Sequence, residues 1–104
     1  MTKEERLKLY EKATQMWGER AQIDQIIEEM AELTVALHKY KRLTFYNEQR
    51  DKEALFENLF IELADVSICL EQMIHMFGEE KTEQAKESQL NRFQKQIEKF
   101  SIYK

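Results

Sequence analysis

The chain has 104 residues, of which 42% are hydrophobic, 35% charged and 11% aromatic, enough for one packed domain and too apolar for a disordered chain. With two Gly and no Pro it lacks the turn chemistry of a many-stranded fold, which argues against an all-β architecture. A net charge of −4 leaves no basic excess for nucleic acid as a partner, and one cysteine cannot form an intrachain disulfide.

Hydrophobic periodicity predicts four helices. The first runs from about Lys3 to Met16, with Leu7, Tyr10 and Thr14 at helical spacing, and stops near Gly18. Its opening, MTKEERLKLY, is charged where a secretory signal needs its apolar stretch. The second runs from about Arg20 to Leu43. Its apolar set is Ile23, Ile26, Ile27, Met30, Leu33, Ala36, Leu37 and Tyr40, the pattern of a core-facing helix. A polar connection follows from Thr44 to about Lys52. The third helix, from about Lys52 to Phe77, is the most apolar part of the chain, with Gly78 as its stop. The fourth, from about Glu80 to Phe100, is mostly charged. Its stripe of Leu90, Phe93, Ile97 and Phe100 is expected to seal the bundle. No run approaches the roughly 20 apolar residues of a membrane span. Residues 1–104 are thus expected to form one all-α, four-helix bundle-like domain, soluble and cytoplasmic, with no membrane partner.

The third helix is apolar around most of its circumference. Glu57, Ile61, Ala64, Ile68 and Glu71 share one face, whose middle is apolar where a monomer would carry charge. Phe56, Leu59, Phe60, Leu63, Val66, Leu70 and Met73 occupy the others. A four-helix chain this small cannot surround one helix completely, so a homodimer or homotetramer is expected; the alternative is a monomer with one oily patch.

Acidic residues stand out where the sequence is otherwise apolar. Glu28, Glu29 and Glu32 lie within IIEEMAEL, and Glu62 and Asp65 within LFIELADVSI. A buried lone carboxylate costs several kcal/mol or takes up a proton, so such groups need a cation. The third helix carries no Arg or Lys beyond Lys52, and its acids therefore need an outside partner. Helical spacing aligns Gln22, Gln25, Glu29, Glu32 and Lys39 on the second helix, and Asn58, Glu62, Asp65, Cys69 and Gln72 on the third. Packed antiparallel, these two polar stripes can face each other. Four converging carboxylates favour Mg²⁺ or Mn²⁺ over zinc or copper. A di-iron oxidase is disfavoured, because neither His38 nor His75 follows a Glu at the Glu-x-x-His spacing. The structural alternative pairs the acids with lysines of the fourth helix or sets them along a polar channel.

Glu28-Glu29-Met30-Ala31-Glu32, followed by Glu62-Leu63-Ala64-Asp65 on the next long helix, resembles the MazG-like nucleotide pyrophosphohydrolases of the all-α NTP pyrophosphatase superfamily. The likeness extends to Trp17-Gly18 and Gln22, to AELTVALHKYKR, and to ENLFIELADVSICLEQM. It covers roughly Trp17 to Ile97 and looks closest to short single-domain members of phages and prophages. It implies Mg²⁺-dependent hydrolysis of a nucleoside triphosphate to a monophosphate and pyrophosphate, with Mn²⁺ as a possible substitute. It also implies metal ligation by Glu29, Glu32, Glu62 and Asp65, with Glu28 as a further ligand or supporting group. The base and sugar stay open among standard dNTPs, dUTP, damaged nucleotides and a nucleotide alarmone.

Phosphate recognition needs cations. Lys39, two turns from Glu32, is either a phosphate contact or a solvated lysine. The family's last helix commonly carries Lys followed three residues later by Arg; here Arg92 fits the second position and Gln89 replaces the Lys, with Lys86 and Lys95 about one turn away. Trp17 either stacks a base or is a core or interface tryptophan. Asn58, one turn before Glu62, hydrogen-bonds a ligand or makes a local polar contact. Cys69 reads as a small buried residue. The competing functional class is a non-enzymatic helical scaffold or regulator that keeps the bundle.

Overall fold

The computed structural model describes residues 1–46 and 51–102, which hold four helices and no strand. The middle of the expected Thr44–Lys52 connection therefore lies outside the described residues. The chain divides into two compact units, Met1–Met73 and Ile74–Lys104.

Local chemistry explains the helix ends. Helix α1, Lys3–Trp17, starts at a capping box: the Glu5 N–H donates to Thr2 Oγ1, and the Thr2 N–H to Glu5 Oε1, both at 3.1 Å. It ends at Gly18, whose N–H donates to the Thr14 carbonyl at 2.8 Å. Gly18 has φ 89° and ψ 161°, a region almost closed to other residues, and α2, Glu19–Phe45, begins directly after it. Helix α3, Lys52–Phe77, is capped by Asp51, whose carboxylate accepts from the Ala54 N–H at 3.2 Å. Gly78, φ 144°, separates α3 from α4, Glu79–Ile102. Helix ends fall within two residues of the sequence expectation.

In the first unit, α2 and α3 run antiparallel. The Gln72 side-chain amide donates to Gln22 Oε1 at 2.7 Å near one end, and the rings of Tyr40 and Phe56 meet edge-on at 5.6 Å near the other. The two polar stripes thus face each other along the seam. Helix α1 is tied to α3 by Glu71, which accepts from Arg6 Nε at 2.7 Å, Arg6 Nη2 at 3.2 Å and the Tyr10 hydroxyl at 2.7 Å. Arg6 is thus an outside cation for an acid of the third helix, as that helix's composition required.

Tyr10, Ile26, Ala36, Val66 and Cys69 form the buried apolar set, and Gln22 and Gln72 are buried beside them. Three α2 residues expected to face the core, Ile27, Met30 and Leu37, are exposed. Phe60, Ile61, Leu63, Ile68 and Leu70 of α3, a helix that one chain was not expected to surround, are exposed as well. Each helix of this unit has too few neighbours to cover its outer sides.

In the second unit, Leu90, Phe93, Ile97 and Phe100 of α4 are 50–70% exposed. One helix cannot bury its own apolar stripe. No described helix is long and apolar enough to cross a membrane.

Candidate metal centre

The α2–α3 register brings acids together about two and three turns along the seam from the glutamine pair. Glu29 and Glu32 stand three residues apart on α2, and Glu62 lies opposite on α3. Each offers a carboxylate oxygen, and the three oxygens lie within 4.8 Å of one another. Glu29 and Glu62 are half-buried and Glu32 is exposed. One oxygen of Glu29, Oε2, and one of Glu62, Oε2, are shut off from solvent with no hydrogen-bond partner among the described residues. The other Glu29 oxygen accepts from Gln25 Nε2 at 2.7 Å. No histidine joins a metal-binding cluster among the described residues.

The electrostatics are those of uncompensated negative charge. Burial, and then the charges of Glu32, Asp65 and Glu28, push the Glu29 carboxyl above its ordinary range, against the opposing Gln25 hydrogen bond. Burial, followed by the charges of Glu62 and Glu28, raises Glu32 in the same way. The Cys69 thiol, buried one turn beyond Asp65, is pushed up by burial and by the charges of Glu29 and Asp65. A divalent cation among these oxygens would replace mutual repulsion with attraction.

Of the four ligands the family resemblance implies, three converge. Asp65 is half-buried and acts on Glu29 through its charge, but it stands outside the three-oxygen cluster. Glu28 is exposed and adds negative charge to both Glu29 and Glu32. Lys39 and Asn58 line one shallow depression with Asp51, Ala54 and Leu55, on the side of Glu32 and Glu62 where α2 leads into α3. Trp17 is 65% exposed at the end of α1, so it is not a core residue. Gln22 is buried and its oxygen is taken by Gln72, which makes it part of the packed seam rather than an open surface. Arg92 is an exposed residue of α4, in the second unit.

Sequence reasoning aligned Gln25 and Gln72 with the acids but gave them no role. Gln25 orients Glu29, and Gln72 locks Gln22. The signal was available in the i, i+4 spacing of Gln25 and Glu29. Asp51 was missed because it belongs to the connection rather than to either stripe. No family model, curated protein or solved structure matches this chain.

Proposed function

We propose that this chain is a divalent-metal-dependent nucleotide pyrophosphohydrolase, which converts a nucleoside triphosphate to a monophosphate and pyrophosphate. The observation that carries this reading is the meeting of Glu29, Glu32 and Glu62 oxygens within 4.8 Å across two helices, in the sequence context EExxE and ExxD. A donor set made only of carboxylate oxygens suits Mg²⁺ or Mn²⁺. The buried, unpartnered oxygens of Glu29 and Glu62 fit the same group, because a buried acceptor without a donor is costly unless a cation satisfies it.

In this reading Glu29, Glu32 and Glu62 hold the metal, and Asp65 and Glu28 strengthen the negative field around it. A bound Mg²⁺ supplies charge neutralisation at phosphate oxygens and an acidified water. Water attacks the α-phosphorus, the bond from that phosphorus to the bridging α–β oxygen breaks so that pyrophosphate leaves, and a glutamate of this cluster accepts the water's proton. Lys39 and Asn58, in the adjoining depression, contact the phosphate chain. Trp17, exposed and aromatic, offers a stacking surface to a base.

We also propose that the protein works as a homo-oligomer. Phe60, Ile61, Leu63 and Ile68 on α3, with Ile27 and Val35 on α2, are large apolar side chains left exposed, which a second copy would cover.

The test is pyrophosphate release from a panel of NTPs and dNTPs with Mg²⁺, comparing wild type with Glu62→Gln. Release that the variant loses is expected. If the wild type releases nothing with Mg²⁺ or Mn²⁺, and its melting temperature does not respond to either metal, the scaffold reading replaces the enzyme.

A further inference from the structure

Every described residue of α4 from Glu83 to Ser101 is exposed, including the four large apolar side chains of its stripe. Those four follow a 3-4-3 spacing, Leu90, Phe93, Ile97 and Phe100, which is the a/d seam of a coiled coil. A helix that merely caps a globular core usually carries a broader apolar face. Phe93, Ile97 and Phe100 also line a shallow groove with Gln96 and Ser101.

The residues flanking the seam decide what fits it. At the e and g positions stand Gln89, Gln94, Gln96 and Ser101, all uncharged. The charges of this half of the helix, Arg92, Lys95, Glu98 and Lys99, occupy the outer b, c and f positions. Charged flanks select a different partner of opposite sign and oppose self-pairing. Neutral flanks do neither: two identical helices meet here without like-charge repulsion, in parallel or antiparallel order, and glutamine amides can hydrogen-bond across the rim.

We infer that the α4 seam of Leu90, Phe93, Ile97 and Phe100 packs against the same seam of a second copy of this chain. This rests on the oligomeric reading above and is independent of the metal centre. Two heptads are short for a free-standing coiled coil, so the pairing accompanies a wider contact between copies.

The experiment uses the full chain in two triple variants: Gln89, Gln94 and Gln96 all changed to Lys, or all changed to Glu. These substitutions keep strong helix formers at exposed positions, and far-UV circular dichroism checks that the helices persist. Mass is read by light scattering at low ionic strength, for each variant alone and for an equimolar mixture. Parallel pairing sets position 89 against 94, and antiparallel pairing sets 94 and 96 against themselves, so either order is disrupted by like charges. Each variant alone is expected to fall to half the wild-type mass, and the mixture to return to it. A wild type that is already monomeric overturns both the seam and the oligomer. Variants that keep the wild-type mass overturn the seam and leave the oligomer standing. Variants that dissociate but do not recombine on mixing also overturn the seam, since the stripe then docks on something other than itself.

Discussion

Gln72 donates its side-chain amide to Gln22 across the α2–α3 seam at 2.7 Å, with both residues under 10% exposed. Seven residues separate Gln22 from Glu29 and Gln72 from Asp65, so each glutamine lies two helical turns from an acid on its own helix. A bond at this level allows little slippage of one helix past the other, and it thereby holds the glutamates at matching height. Replacing Gln72 by Leu strands the Gln22 amide in the core and is expected to cost about 1–3 kcal/mol. The double change Gln22→Leu with Gln72→Leu removes both polar groups and is expected to recover most of that loss. Urea denaturation of the three variants measures this, and strictly additive losses would show that the pair does not act as a unit.

Glu62 sits against two acids whose carboxyls are already pushed toward protonation. In metal-free protein, Glu62→Gln is therefore expected to raise the melting temperature, because it removes one of the repelling charges. With metal present the order reverses. Wild type in a hundredfold excess of metal over its dissociation constant gains about 2.7 kcal/mol, and the variant gains much less. Calorimetric melts with and without Mn²⁺ check both signs; a variant that is less stable without metal and equally responsive with it contradicts the cluster's proposed role.

Glu71 makes acid stability depend on α1. Hydrogen bonds from Arg6 and Tyr10 hold its carboxyl down from the ordinary 4.5 to about 2. The folded value lies below the unfolded one, so this contribution is complete above pH 4.5 and lost as pH falls toward 2. Tyr10 works at the other end: burial, aided by Glu71, raises its hydroxyl to about 12, so its contribution is complete below the ordinary value of 10 and lost above it. Melting temperature as a function of pH should fall across the acid window in wild type and stay flatter in Glu71→Gln. An identical acid limb in both proteins rules the clasp out as its source.

Gly18 joins α1 to α2 at φ 89°, ψ 161°, with open space where a Cβ would go. The obstacle to substitution is thus backbone conformation and not crowding. Gly18→Ala is expected to destabilise the first unit by about 1–3 kcal/mol, read as a lower denaturation midpoint with an unchanged slope. A neutral result means that the linkage adopts another conformation at no cost.

Much of the architecture was legible because helix signals are local. The period of Ile26, Leu33 and Tyr40, the stops at Gly18 and Gly78, and the scarcity of turn residues each act within a few residues of chain. The polar stripes were readable for the same reason: Glu29 and Glu32, or Glu62 and Asp65, share a side of their helix by geometry alone. Thr2 and Glu5 also spell a capping box in sequence, although the helix start was placed without using it. Burial was less legible. Ile27, Met30 and Leu37 have the spacing of core residues, and only the number and placement of neighbouring helices decides whether anything covers them.

The sequence by itself determined four helices, two opposed polar stripes and an acid-rich seam, since these follow from residue order and the 3.6-residue turn. Tertiary structure alone decided which side chains meet across the seam. It brought Glu29, Glu32 and Glu62 together and left Asp65 just outside. It also gave Glu71 to Arg6 and Tyr10, and buried Gln22 of the polar stripe against Gln72. Those outcomes depend on the relative height of antiparallel helices and on which helix covers which face. Such relations join residues 30 to 65 positions apart, and no local pattern encodes them.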